Sequence, residues 1–189
     1  MNDFSNDIIE CCKVLKDGGL ILYPTDTIWG IGCDATNKNA VDKIYGLKKR
    51  SDKKSLIILV AEQNDIFNYV ECPDEKIFEY LSATEKPTSV IYENGKNVAK
   101  NLIGADGTVA IRIIKDNFCK ELIRQFKKPI VSTSANISEA PFPKTFGEVS
   151  DIIKNGVDYI VQHRQNDHML FKPSSIIKLD KEANIEIVR

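Results

Sequence analysis

Hydroxyl and carboxylate side chains follow a short apolar segment near the start of the chain. Residues 20–23 are aliphatic or aromatic, which predicts a buried β-strand, and Pro24 ends it because proline cannot donate to a sheet ladder. Thr25, Asp26 and Thr27 come directly after this strand. Loops at strand ends often carry the ligand sites of α/β proteins, so this loop is a candidate binding site. The alternative is a tight turn whose threonine and aspartate side chains bond their own backbone.

Three other polar clusters lie at predicted element ends. They are a basic run over 48–54, a hydroxyl-rich run over 132–136 and a Lys-Pro-Ser-Ser run over 172–175. Cations and hydroxyls of this kind suit phosphate and carboxylate ligands. For the basic run, the alternative interpretation is a charged face in contact with solvent.

Arg112 interrupts the apolar strand that is predicted over 108–113. A buried guanidinium at this position needs an anion or a carbonyl partner, because an unpaired buried charge is very costly. The alternative is that the side chain of Arg112 lies on the polar face of a half-exposed strand.

The composition excludes several classes of protein. The chain has 189 residues, of which 42% are hydrophobic and 28% charged, so we expect one soluble globular domain spanning residues 1–189. A formal net charge of −1 gives no overall field that would draw the chain to nucleic acid or to a membrane. The sequence shows neither a secretory leader nor an apolar run long enough to span a membrane, and we therefore expect a cytoplasmic location.

Cysteine and histidine usage argues against a disulfide framework or a structural metal site. The five cysteines are an odd number without a CxxC pair, so we expect reduced thiols that mostly contribute to packing. His163 and His168 lie five residues apart in a polar stretch, which favours a loop over a metal site.

Helical and extended patterns alternate along the chain, which predicts a single α/β domain with a twisted sheet. Helices are predicted over 8–15, 39–48, 74–81, 116–126 and 146–154. Strands are predicted over 20–23, 56–60, 89–92, 108–113, 130–131, 159–161, 175–179 and 185–188.

Several common catalytic motifs are absent from the sequence. It contains no GxxxxGK[ST] loop, no GxGxxG fingerprint and no GxSxG elbow. The remaining candidates are cations and hydroxyls with few general bases. Such a set suits a reaction dominated by positioning and by neutralisation of phosphate charge, as in nucleotidyl transfer.

Three motifs in the chain together resemble those of the YrdC-type threonylcarbamoyl-AMP synthases. The segments PTDTIWG at 24–30, KKR at 48–50 and STSAN at 132–136 match, in order and spacing, the patterns P-T-[DE]-T-x-[YW]-G, K-x-R and [ST]-x-S-A-N. The resemblance runs from about Asp7 to the C-terminus and is to the short, single-domain form.

The resemblance implies both a fold and a reaction. The fold is a twisted mixed sheet flanked by helices around a concave, positively lined cleft. The reaction makes threonylcarbamoyl-AMP and pyrophosphate from L-threonine, bicarbonate and ATP, with Mg²⁺ accompanying ATP. The implied partners are tRNA, whose adenosine beside the anticodon is modified, and the proteins that transfer the threonylcarbamoyl group.

The resemblance also implies site residues and no protein metal ligand. For threonine they are Thr27, Arg112, Ser132 and Ser174, with Arg112 against the carboxylate. For ATP they are Lys48, Arg50, Lys54, Thr108, Ser134, Asn136 and Arg189. We expect Lys48 and Arg50 to lie in an exposed basic loop and to neutralise charge in the transition state. Asp26 is either an orienting residue or part of an Asx-type turn.

A different class of function uses the same residues. The chain could be a non-catalytic module that binds double-stranded RNA or tRNA, or acts in ribosome maturation, through the same basic cleft. The near-zero net charge disfavours this alternative, because general RNA binders are usually basic. A pocket of hydroxyls and an arginine, as formed by Thr27, Arg112 and Ser174, favours the enzyme.

Overall fold

The computed structural model describes residues 4–50, 56–167, 173–179 and 184–188. The helices are α1 (Ser5–Lys16), α2 (Lys38–Lys48), α3 (Glu75–Ala83), α4 (Asn117–Phe126) and α5 (Asp151–Asn155). The strands are β1 (Ile21–Tyr23), β2 (Gly30–Gly32), β3 (Ile57–Val60), β4 (Thr88–Tyr92), β5 (Val109–Ile113), β6 (Ile130–Ser134), β7 (Tyr159–Ile160), β8 (Ser175–Leu179) and β9 (Ile185–Ile187). No helix in these ranges is both long and apolar enough to cross a membrane.

The strands pair into one mixed sheet. Across the described residues its order is β7-β1-β2-β6-β3-β5-β4-β8-β9. The pairs β1–β7, β3–β5 and β4–β8 are parallel, and the other neighbours are antiparallel. The predicted α/β class with a mixed sheet flanked by helices is confirmed.

The two faces of the sheet are covered differently, because side chains alternate between them along each strand. One face, which includes Ile58, Ile111 and Val131, packs against α2 and α3 in a continuous core. On the other face, Leu59 and Ile130 pack against α1 and α4. Another part of that second face, which includes Ile57, Ala110 and Ser132, forms the floor of a cavity.

Strand β2 is absent from the sequence prediction, which assigns no strand to residues 30–32. It pairs with β1 on one side and with β6 on the other. Two of its three residues are glycines, which propensity disfavours in strands, but close packing requires at least one of them. A Cβ on Gly32 would lie 2.7 Å from both Tyr23 Cε1 and the Val131 carbonyl oxygen.

Two of the predicted elements whose bounds differ in the structure are β6 and the last helix. Strand β6 extends to Ser134, so that Ser132 and Ser134 lie on a strand rather than in a loop. The helix predicted over 146–154 is divided into a short 3-10 turn (Phe146–Glu148) and α5. The division occurs because Ser150 is extended and precedes α5 as its N-cap residue.

The cysteines are free thiols, as predicted. Cys11, Cys12, Cys33 and Cys119 are buried and contribute to packing, whereas Cys72 is exposed.

The close contact at Gly32 gives a test of the strand that the sequence pattern did not predict. We expect Gly32→Ala to destabilise the protein by about 1–3 kcal/mol through overpacking. The matched control is Gly46→Ala in α2, where a Cβ would meet nothing within 4 Å. We expect that substitution to stabilise the helix by roughly 0.5–1 kcal/mol. Urea unfolding of the two variants measures both values, and equal midpoints would contradict the packing assigned to β2.

Candidate functional site

A cavity of about 240 Å³ lies over the second face of the sheet, beyond α1 and α4. It is bounded by the Thr25–Thr27 loop, by β5 and β6, and by the segment that precedes β8. Seven of the predicted site residues line it, namely Thr27, Arg50, Thr108, Arg112, Ser132, Ser134 and Ser174. Its floor also contains aliphatic side chains from the sheet, among them Ile57, Ile91 and Ile176.

The strand register brings the polar residues together. Ile57 of β3 is the register partner of Ala110 on β5 and of Ser132 on β6. The two-residue period of a strand then places Arg112 on the same face as Ala110, and Ser134 on the same face as Ser132. Arg112 of β5 and Ser134 of β6, which are distant in the sequence, therefore lie on the same wall of the cavity.

Arg112 is buried, and the half-exposed strand that was its alternative interpretation is wrong. Its side chain is 4% exposed, with Nη2 3.3 Å from Asp26 Oδ1 and Nη1 donating to Thr27 Oγ1 at 3.3 Å. Its Nε is also buried and has no hydrogen-bond partner in the described part of the chain. The guanidinium of Arg112 therefore lies in the wall of the cavity with its Nε unsatisfied among the described residues.

The Thr25–Thr27 loop satisfies its own backbone and also lines the cavity. The Thr25 hydroxyl donates to the Ile28 carbonyl at 2.9 Å, so its oxygen must accept from the Thr27 amide at 3.0 Å and from the Thr27 hydroxyl at 2.9 Å. The single hydroxyl proton of Thr27 is used in this way. Thr27 Oγ1 therefore presents an acceptor to the cavity, beside the donors of Arg112.

Lys48 does not lie in an exposed basic loop, and that expectation is wrong. It is the last residue of α2 and is 1% exposed, whereas its neighbour Lys49 is exposed. The Lys48 ammonium donates to the carbonyl oxygens of Ser134 and Asn136. Lys48 is not among the residues that line the cavity and holds the end of β6 in place from behind.

Burial makes the charge of Lys48 costly. Burial, and to a smaller extent the charge of Arg50, lowers the pKa of Lys48 to about 8 from its usual 10.5. At neutral pH the ammonium is nevertheless retained, with carbonyl oxygens as its acceptors.

The remaining predicted ATP residues are distributed differently. Arg50 lines the cavity, two residues beyond Lys48. Asn136 does not line the cavity. Its Nδ2 instead donates to the carbonyl oxygens of Ile137 and Ala140 and stabilises the turn after β6. Lys54 and Arg189 lie outside the described residues.

Phe142 was not predicted as a site residue, and Trp29 was noted only as the aromatic residue of the motif at 24–30. Phe142 is 40% exposed and lines the cavity between Pro141 and Pro143. Trp29 also lines the cavity and packs against Phe146, with ring centroids 4.8 Å apart. The flanking prolines were the signal available in the sequence, because they limit the conformations that Phe142 can adopt.

Ser174 contacts a second serine on the same face of the sheet. It is buried, and its hydroxyl lies 3.0 Å from that of Ser89 on β4. Ser89 is fully buried and was predicted only as a strand residue.

Comparison with known proteins shows to which family this chain belongs. A family model described as telomere recombination, covering Sua5, YciO and YrdC proteins, matches residues 13–189. The chain belongs to the Sua5/YciO/YrdC family. A threonylcarbamoyl-AMP synthase of Idiomarina loihiensis is 34% identical over 146 residues, which are 76% of this chain and 78% of that protein.

Solved structures of the Sua5/YciO/YrdC family share the fold. A crystal structure of P. abyssi Sua5 complexed with L-threonine has a TM-score of 0.86 at 23% identity and covers 99% of this chain. This chain spans 54% of that longer protein. E. coli YciO has a TM-score of 0.83 at 21% identity, covering 97% of this chain and 88% of its own length.

The burial of Lys48 predicts a pH dependence of stability. A lysine whose folded pKa is about 8 and whose unfolded pKa is 10.5 binds fewer protons in the folded state between these values. Stability therefore increases with pH across this window, by at most about 1.4 kcal/mol per pH unit. We expect the difference in unfolding free energy between wild type and Lys48→Met to shift in favour of wild type from pH 8 to pH 10. Urea unfolding at each pH measures it, and a constant difference would show that the pKa of Lys48 is not lowered.

Proposed function

We propose that the chain is a threonylcarbamoyl-AMP synthase that makes threonylcarbamoyl-AMP and pyrophosphate from L-threonine, bicarbonate and ATP. The observation that carries the proposal is the guanidinium of buried Arg112, next to the acceptor Thr27 Oγ1, in the wall of a cavity that Arg50 and Ser134 also line. The names of curated relatives at 30% identity or more support the same reaction.

The Arg112 side of the cavity suits an amino acid. A guanidinium recognises a carboxylate through parallel N–H donors, and the Thr27 hydroxyl oxygen can accept from an amino group. Ser132 and Ser174 add hydroxyls within the same cavity, of the kind that would bind a hydroxylated side chain. We assign L-threonine to this side.

The Arg50 side suits the nucleotide. Arg50, Thr108 and Ser134 supply a cation and two hydroxyls for phosphate oxygens. Phe142 offers a flat apolar surface of the kind on which nucleobases stack. Lys48 contributes by fixing the Ser134 carbonyl, and its direct contact with ATP stays a prediction, as do those of Lys54, Asn136 and Arg189.

The proposed reaction needs positioning more than acid–base groups. The threonine amine and bicarbonate form a carbamate with loss of water. A carbamate oxygen then attacks the α-phosphorus of ATP, the bond to the β-phosphate oxygen breaks, and pyrophosphate leaves. Arg50 would stabilise the charge that develops on the phosphates. Arg112 would hold the α-carboxylate of the threonine part, which leaves the carbamate group free to react.

Mg²⁺ is proposed to enter with ATP as part of the substrate. In the described ranges, no group of three or more His, Cys, Asp or Glu side chains could hold a metal ion. Mg²⁺ commonly keeps its waters and binds mainly through phosphates, so the cavity needs no dedicated metal ligands.

The product would serve the modification of tRNA, and the proposed partners are tRNA and the proteins that transfer the threonylcarbamoyl group. We also propose a cytoplasmic location, which the five free thiols support. A non-catalytic RNA-binding module is not favoured, because an arginine buried in the wall of a cavity suits a small ligand better than a phosphate backbone.

The test is pyrophosphate release by the purified chain. We expect release to require ATP, L-threonine and bicarbonate together, with threonylcarbamoyl-AMP detected by mass spectrometry. Release that is independent of threonine, or no release with all three substrates, would overturn the proposal.

Substitution of Arg112 tests the assignment of the two sides. We expect Arg112→Lys to raise the KM for threonine roughly tenfold to a hundredfold, because lysine lacks the planar fork that pairs with a carboxylate. The KM for ATP should change much less. The control is Arg124→Lys, an exposed arginine that pairs with Glu62 away from the cavity. Equal increases for both substrates would place Arg112 at the phosphates instead.

A further inference from the structure

Arg164 adopts a backbone conformation that favours glycine. Its φ is +66°, in the left-handed region, and it lies in the polar stretch between β7 and β8 that also contains His163. A side-chain-bearing residue is strained in this region, whereas glycine is not. The arginine side chain must therefore contribute interactions that offset this strain.

The guanidinium of Arg164 joins two segments behind the candidate site. Its Nη1 donates to the Thr25 carbonyl oxygen at 3.2 Å and to Asp116 Oδ2 at 3.0 Å. Its Nε donates to Asp167 Oδ2 at 3.1 Å. The side chain is 19% exposed, so these charge-assisted hydrogen bonds are partly protected from solvent.

The backbone around Arg164 is held by other groups. Asp7 accepts hydrogen bonds from the backbone amides of Gln162 and His163 and from the Tyr159 hydroxyl. The His163 ring packs against Phe118, with centroids 5.7 Å apart. Removal of the Arg164 side chain should thus leave this segment in place.

Both segments that Arg164 contacts lead to the partners of Arg112. Thr25 fixes Thr27 through the hydroxyl contact at 2.9 Å, and Thr27 Oγ1 accepts from Arg112. On the other side, Asp116 follows Lys115, whose amide donates to Asp26 Oδ2 at 3.2 Å. A displacement of either segment would move a partner of Arg112, the hydrogen-bond acceptor Thr27 or the counter-charge Asp26.

We infer that Arg164 is a positioning residue for the amino-acid side of the cavity. It ties the Thr25–Thr27 loop to the segment before α4, so that Thr27 and Asp26 hold the Arg112 guanidinium in its binding orientation. The assignment of threonine to this side rests on the proposed function, whereas the tethering of the loop does not.

The test compares two substitutions that relieve the same backbone strain. Arg164→Gly removes the tether, and Lys127→Gly is the matched control, since Lys127 has φ +61° at the end of α4 and is not a lining residue of the cavity. The readouts are hydrogen exchange of the peptide covering 24–30 and the KM values for threonine and ATP.

We expect Arg164→Gly to accelerate exchange over 24–30 about tenfold or more and to raise the KM for threonine by a similar factor. The KM for ATP should stay within about twofold, since the tether acts on one side of the cavity. Arg164→Lys keeps the charge but not the fork, and it should restore part of both effects. Lys127→Gly should change neither exchange nor KM.

Unchanged exchange over 24–30 in Arg164→Gly would overturn the tether. Faster hydrogen exchange over 24–30 together with equal increases in the KM values for threonine and ATP would also overturn the inference. Arg164 would then stabilise the loop without a specific effect on the amino-acid side of the cavity. If Arg164→Gly does not fold, Arg164→Lys decides between these outcomes. A wild-type chain that releases no pyrophosphate would contradict the proposed function, and hydrogen exchange would still decide whether Arg164 holds the loop.

Discussion

A guanidinium buried within a β-sheet is stable only if a counter-charge and a hydrogen-bond acceptor offset its burial. Arg112 meets this requirement through Asp26 and Thr27, both of which come from the loop after β1. That loop must therefore lie against β5, on the other side of the sheet centre, and β2 and β6 connect the two regions through their pairing. The shape of the cavity follows from the need to compensate this one charge.

The basic residues of the KKR segment divide into two environments. Lys48 is directed into the protein, where it holds carbonyl oxygens of the β6 end, and Arg50 is directed to the cavity. Lys49 between them has φ +49° and is exposed. The left-handed residue turns the chain at the end of α2, so that neighbouring positions in a charged run serve a structural and a ligand-facing purpose at once.

Much of the fold and of the site could be predicted because these parts depend on local patterns. Alternation and helical periodicity located most elements, and the family resemblance grouped Thr27, Arg112 and Ser132, which line one cavity. Strand β2 could not be predicted, since its glycines are explained only by the approach of Tyr23 and Val131. The burial of Lys48 likewise depends on carbonyl groups 86 and 88 positions away in the chain. The order of polar and apolar residues predicts local structure, whereas strand β2 and the burial of Lys48 depend on contacts between distant parts of the chain.

The position of Trp29 gives the protein an internal optical probe. It is the only tryptophan in the sequence, and its largely buried indole lines the cavity against Phe146. Indole emission responds to the polarity of its surroundings and to charged or aromatic groups brought near it. Tryptophan emission from the unmodified chain therefore comes from one known place, the cavity wall next to Thr27 and Gly30. Occupancy of the site can be followed in real time without any label, and separately from turnover.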